Sequence, residues 1–197
     1  MDLSKAFDSV CHKTLILKLQ KLGIEKTSLN WIISYLEERM QYVEIKQYSN
    51  DFIHTVSSSL QTIRSGVPQG SILGPLLFLC YIHDIQFSNN LDSDKKLILY
   101  ADDITLNISK DSKEELEETS NSELSHICKY LSENNLHVNI EKTKFITFSN
   151  RQNPHKITPN LKINVTSLKQ ESSMDYLGLQ FEKTLNWNLQ IEKILTS

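Results

Sequence analysis

The amino-acid sequence predicts an α+β fold, with an antiparallel sheet backed by helices. Three observations carry that expectation. Apolar residues recur along most of the 197-residue chain, at 39% hydrophobic against 23% charged, which excludes disorder for its bulk. Helical and alternating apolar patterns succeed one another in the order αα, ββ, α, ββ, α, β, with no strict βαβ repeat. The length fits one domain or slightly more, at roughly 100–200 residues per domain, which is enough for a sizeable core.

Leu15, Ile16, Leu19 and Leu22 keep helical spacing, and Gly23 ends that helix where a left-handed turn is cheapest. A second helix is expected over residues 28–39, with Leu29, Ile32, Ile33 and Leu36 on one face. Residues 42–46 alternate like a strand, and 52–56 return beside it as a hairpin. Pro68 and Gly70 break the chain before the apolar run 72–82, a candidate buried helix. This is the longest apolar stretch, eleven residues including Gly74 and Pro75, against the ~20 a helix needs to cross a bilayer. No membrane is expected as a partner. Residues 97–100 and 104–108 read as two strands around a tight turn at Ala101, Asp102 and Asp103. Leu116, Leu124, Ile127 and Leu131 mark a long amphipathic helix with its acidic residues outside. Residues 144–149 form a further strand, and short strands follow around 161–165 and 176–181. The turn-rich stretch 150–160, with Asn153, Pro154 and Pro159, separates a first domain, 1–150, from a second, 151–197.

The net charge of −3 hides an uneven distribution. Residues 102–135 carry nine acidic side chains against three basic, and 136–197 carry eight basic against five acidic. The acidic block reads as the solvated face of its helix, while the basic tail is a weak pointer to phosphate. Cys11, Cys80 and Cys128 form no CxxC pair, and the N-terminus lacks an apolar signal core. Both features favour an intracellular protein with reduced thiols.

Two segments stand out chemically. In Tyr100-Ala101-Asp102-Asp103, adjacent carboxylates sit in a turn between apolar strands, where they repel each other. They suit Mg²⁺, a hard cation that takes a few carboxylates and keeps places for water and phosphate oxygens. An ordinary Asp-Asp turn is the plainer alternative. Residues 65–75 hold three of the chain's five glycines and two of its four prolines, which implies left-handed backbone or close approach. Gln69, between Pro68 and Gly70, is held out from that loop, where it could bond a ligand or merely help cap the next helix.

Together with DLSKAFDSV at residues 2–10, these segments resemble motifs A, B and C of reverse transcriptases in order and spacing. The wording of 2–10 and of SGVPQGSILGP at 65–75 is closest to the non-LTR (LINE-type) retrotransposon branch. Residues 139–144 are similar to motif D, and Tyr176-Leu177-Gly178 with Leu185-Asn186-Trp187 to the motif E region.

The resemblance implies an RNA-directed DNA polymerase working by two-metal nucleotidyl transfer. It implies a polymerase palm with motifs A to D in 1–150, then the primer grip and start of the thumb in 151–197. Two Mg²⁺ ions, with Mn²⁺ as a substitute, would be held by Asp2, Asp102 and Asp103. Phe7 would lie under the incoming sugar, and Gln69 and Gly70 over the nucleotide and template base. Lys142 matches a proton donor to pyrophosphate, or is a surface charge. Tyr176, Leu177 and Gly178 match the primer grip. Asp8 and Asp84 are familiar family positions read here as structural, capping or fixing loops. The implied partners are an RNA template, a DNA primer and deoxynucleoside triphosphates; protein partners are unreadable. A two-metal nuclease or cyclase would share the carboxylates but has no use for the Gln-Gly loop.

The departures from the family pattern concern the ends. Only Met1 precedes Asp2, where the family has an apolar strand, so Asp2 is expected on a loosely held terminus. Fingers and most of the thumb are missing, so a truncated copy is expected, with an inert remnant that at most binds RNA as the alternative. By itself the chain is expected to bind Mg²⁺ weakly and to extend primers little.

Overall fold

The computed structural model describes residues 1–49, 52–86, 94–148 and 157–196. In chain order they form β1 (Asp2–Ser4), α1 (His12–Lys21), α2 (Lys26–Leu36), β2 (Met40–Gln41), β3 (Glu44–Ser49) and β4 (Phe52–Ser57). Next come β5 (Gln61–Thr62), α3 (Leu73–Ile82), β6 (Lys95–Tyr100), β7 (Asp103–Ile108), α4 (Lys113–Glu133), β8 (His137–Asn139) and β9 (Lys144–Phe145). The last are β10 (Lys162–Ile163), β11 (Thr166–Ser167), β12 (Lys169–Gln170), β13 (Ser173–Tyr176), β14 (Leu179–Glu182) and α5 (Asn188–Thr196). Helix and strand are mixed, as α+β requires. The described strands join in two-stranded sheets, antiparallel except for β9 with β12. Most of the expected boundary at 150–160 lies outside the described residues.

Two compact units emerge, and neither follows chain order. One comprises Lys5–Asp84 and Asn134–Leu136. Here α1 ends as anticipated. The Gly23 N–H bonds the Gln20 carbonyl and the Ile24 N–H bonds the Leu19 carbonyl, with Gly23 at φ 86°. This is the double bond pattern of a Schellman cap. The inner face of α1 differs from the expected stripe. Leu15 and Leu19 are buried, but Leu22 is exposed and Lys18 takes an inner place. The Lys18 ammonium donates to the Tyr81 carbonyl and to Asp84 Oδ1, each at 2.7 Å, so the buried charge is paired. Burial still pushes the Lys18 pKa down, with Asp84 pulling the other way. Phe78, Tyr81 and Ile82 of α3 complete this core. The β3–β4 hairpin forms as expected, and the second helix is shifted to Lys26–Leu36.

The other unit comprises Met1–Ser4, Ile85–Glu133 and His137–Ser197. Its core gathers Leu124, Leu161 and Ile163, with Leu106, Val138, Ile140 and Phe145 against them. The long acidic helix is α4, with Leu124, Ile127 and Leu131 buried and Glu114, Glu115 and Glu118 exposed. Glu123 departs from this pattern. It is buried, and its Oε1 accepts from the Lys95 ammonium of β6 at 2.9 Å. The strand expected over 176–181 is two strands, because Leu177 and Gly178 both adopt positive φ, 49° and 85°. Positive φ at both central residues is the mark of a tight hairpin turn.

Candidate functional site

Asp2 is the first residue of β1, and its strand is tied on both sides. On one side β1 pairs antiparallel with β8, Asp2 opposite Asn139. The Thr143 hydroxyl also accepts the Asp2 backbone N–H at 3.4 Å, and in turn donates to the Asn139 carbonyl at 2.7 Å. On the other side the Ile104 N–H donates to the Met1 carbonyl at 3.0 Å, and the Met1 nitrogen donates back to the Ile104 carbonyl. A reciprocal exchange between two residues is the hydrogen-bonded pair of an antiparallel ladder. One step further along that register, Asp2 comes opposite Asp103, with both side chains on the same face. Burial lowers the pKa of the Met1 amine, and the charges of Asp103 and Asp2 oppose that shift without cancelling it. The loosely held Asp2 expected from the sequence is therefore corrected: strand pairing to residues far along the chain holds it.

Asp102 and Asp103 sit where the β6–β7 hairpin turns. The last ladder pair is Tyr100 with Asp103, leaving Ala101 and Asp102 as a two-residue loop. Ala101 takes φ 51°, whereas Asp102 stays out of the positive region. A side chain at such an angle is a local strain that the surrounding structure must hold.

Lys142 follows β8 in a turn organised by Asn139, whose side-chain oxygen accepts the Lys142 N–H at 3.2 Å. Its ammonium lies 3.9 Å from Asp2 Oδ2. Asp2, Asp102, Asp103 and Lys142 thus all belong to one unit. Among the described residues, no three His, Cys, Asp or Glu side chains are gathered closely enough to hold a metal ion. The donor chemistry does fit a hard cation, since ionised carboxylates only accept and two of these face each other in register.

Tyr176, Leu177 and Gly178 occupy the turn end of the β13–β14 hairpin, where the Tyr176 ring meets Phe181 edge-on at 6.2 Å. Among the described residues, neither hydrogen bond nor ion pair ties this hairpin to Asp2, Asp102 or Asp103. Its tie runs to α5, through the Gln180 N–H and the side chain of Gln190 at 2.7 Å.

Phe7, Gln69 and Gly70 belong to the other unit and are described separately. Phe7 lies in a single 3₁₀ turn, Phe7–Ser9, with its ring 4.9 Å from that of Phe78. The glycine-rich loop is docked on this segment. The Val67 N–H bonds the Phe7 carbonyl and the Gly66 N–H bonds the Val10 carbonyl, both at 2.8 Å. The His12 Nε2–H donates to the Gly66 carbonyl at 2.7 Å, which assigns the proton to that nitrogen. Gly66 has φ 90°, and a Cβ there would stand 2.8 Å from Asp8 Cα. Gly70 has φ 78° but open space around it. The sequence thus anticipated both uses of glycine without saying which residue served which.

Thr143, Asn139 and His12 were not singled out by sequence reasoning. Nothing local marks a threonine as the hydrogen-bond partner of a residue 141 positions away.

The sequence model of the family described as reverse transcriptase (RNA-dependent DNA polymerase) matches residues 1–181, and the chain belongs to that family. It is 31% identical, over 98% of its own length, to the RNA-directed DNA polymerase from mobile element jockey of Drosophila melanogaster. It is 31% identical over 95% of its length to the probable RNA-directed DNA polymerase from transposon BS of the same species. The retrovirus-related Pol polyprotein from type-1 retrotransposable element R2 of Popillia japonica is 27% identical over 93% of the chain. The resemblance to non-LTR retrotransposon reverse transcriptases is borne out. The chain spans 20% of the length of the two Drosophila proteins and 30% of the R2 polyprotein.

Proposed function

We propose that this chain is the palm region of an RNA-directed DNA polymerase, which extends a DNA primer on an RNA template. The observation that carries the reading is the Met1–Ile104 bond pair, which brings the motif A carboxylate Asp2 into register with Asp103 of motif C. Two carboxylates facing each other in register, with that of Asp102 next to Asp103 in the adjoining turn, are hard oxygen donors of the kind a divalent cation takes. Two Mg²⁺ ions, when bound, lower the pKa of the primer 3′-hydroxyl and neutralise charge on the triphosphate.

Asp2, Asp102 and Asp103 supply the oxygen ligands in this reading. Lys142 brings a cationic N–H donor beside Asp2, suited to protonating the leaving pyrophosphate. Phe7 offers an aromatic face to the incoming sugar, and Gln69 and Gly70 present a side-chain amide and open backbone to the nucleotide. The Tyr176–Gly178 turn offers its backbone to the primer end. The described residues hold three free cysteines, which fit a reducing, intracellular setting.

The test is Mg²⁺-dependent deoxynucleotide incorporation on an RNA template with an annealed DNA primer. Read in a longer chain whose flanking sequence supports full extension, Asp2→Asn and Asp102→Asn should each lower the rate on the order of 10³-fold, since each removes charge stabilisation at the reacting phosphate. A rate indifferent to both substitutions rejects the polymerase reading in favour of a chain that only binds RNA.

A further inference from the structure

The Gln69 side chain is exposed, yet it is not left to point freely. Its Nε2 donates to Asp8 Oδ1 at 3.2 Å. The backbone beneath is locked to the same residue. Gly66 packs on Asp8 with no room for a Cβ, and bonds from Gly66, Val67 and His12 seat the loop along residues 7–12. After Gln69, the Ser71 hydroxyl donates to the Pro68 carbonyl at 2.7 Å and accepts the Gly74 N–H at 3.0 Å. Loop and carboxylate therefore hold a fixed distance.

We propose that Asp8 is a positioning residue that fixes which end of the Gln69 amide is turned outward. An ionised carboxylate accepts hydrogen bonds and donates none. The amide group that faces it must be the NH₂, and the carbonyl oxygen Oε1 takes the outer position. A ligand that meets Gln69 finds an acceptor first, with a negative charge close behind it. That pairing selects a hydroxyl or amino donor of a nucleotide and rejects phosphate oxygens. Without Asp8 the amide flips freely and offers donor or acceptor with little preference. An exposed hydrogen bond of this length adds little to stability, so the effect of losing it falls on recognition.

The inference rests on Gln69 facing a nucleotide, and the experiment separates the two claims. In the full 197-residue chain, NMR reads the Gln69 side-chain NH₂ with no nucleotide present. One of its two protons should be shifted downfield and slowed in exchange, and Asp8→Ala should abolish both effects. Titration with Mg²⁺–dATP gives the second measurement. Asp8→Ala and Asp8→Asn should weaken binding about 5–10-fold, the cost of one oriented hydrogen bond. Asp8→Glu, which keeps the acceptor, should recover most of it. In a Gln69→Ala background, Asp8→Ala should have no further effect. An amide signal indifferent to Asp8, or an equal loss with and without Gln69, overturns the proposal. If the chain with Asp8 and Gln69 intact binds no Mg²⁺–dATP, the nucleotide-facing role of Gln69 fails, and the amide signal alone still decides the orientation.

Discussion

The ammonium of Lys142 stands 3.9 Å from Oδ2 of Asp2, joining the turn after β8 to the first residue of β1. The Lys142 side chain is 70% exposed and that of Asp2 32%, so solvent screens the pair. Such pairs contribute roughly 0–1 kcal/mol. Lys142→Gln should leave the melting temperature nearly unchanged. If Lys142 protonates pyrophosphate, the same substitution should slow nucleotide incorporation by about 10²-fold or more. A melting curve beside a single-turnover assay checks both halves.

Like charges at one strand edge make a second expectation. Without divalent cation, Asp103→Asn should change stability by no more than ~1 kcal/mol, because relief of repulsion with Asp2 is set against loss of the attraction to the Met1 ammonium. Added Mg²⁺ or Mn²⁺ should stabilise the unsubstituted chain by preferential binding to the folded state and leave the variant almost unmoved. Thermal melts with and without cation read the crossover.

The two loop glycines should respond unequally to alanine. At Gly70 only the left-handed backbone is penalised, at about 1–2 kcal/mol. At Gly66 the new methyl also meets Asp8 Cα at 2.8 Å, a backbone atom that cannot swing aside. Gly66→Ala should therefore cost clearly more than Gly70→Ala in a denaturant titration, and should detach the loop from Asp8.

The three thiols should separate by reactivity. Cys11 occupies the N-cap position of α1, where the neighbouring backbone N–H and hydroxyl of Thr14 hold its pKa below the usual thiol value. Burial pushes Cys80 and Cys128 the other way. A lowered pKa means more thiolate near pH 8, and the thiolate is the nucleophile. Iodoacetamide at that pH should label Cys11 first, with Cys80 and Cys128 gaining ground only as pH rises past their raised values. Mass spectrometry of timed aliquots gives the order.

Local chemistry was readable in the chain itself. Gly23 ended α1, the alternation over 42–46 and 52–56 gave a hairpin, and the eleven-residue apolar run gave α3, because each rests on bonds between near neighbours. Even the turn between β6 and β7 was visible, since Asp-Asp interrupts an apolar pattern. Motif order placed the chain in its family for the same reason: the words are local, and so is their spacing.

Tertiary structure alone decided what those words are joined to. Lys18 stands outside the apolar stripe expected for α1 and Glu123 belongs to the acidic block read as a solvated face, yet both are buried against partners that periodicity does not reveal, Asp84 and Lys95. Asp2 looked unanchored because its neighbours in sequence are few. Its true neighbours are Asn139, Thr143 and, through Met1, Ile104. Strand pairing is set by backbone bonds between distant segments, which carry no side-chain signature. The sequence by itself therefore determined the family words and their order, and only the pairing of β1 with β8, with the Met1–Ile104 bond pair on its other side, decided where Asp2 stands.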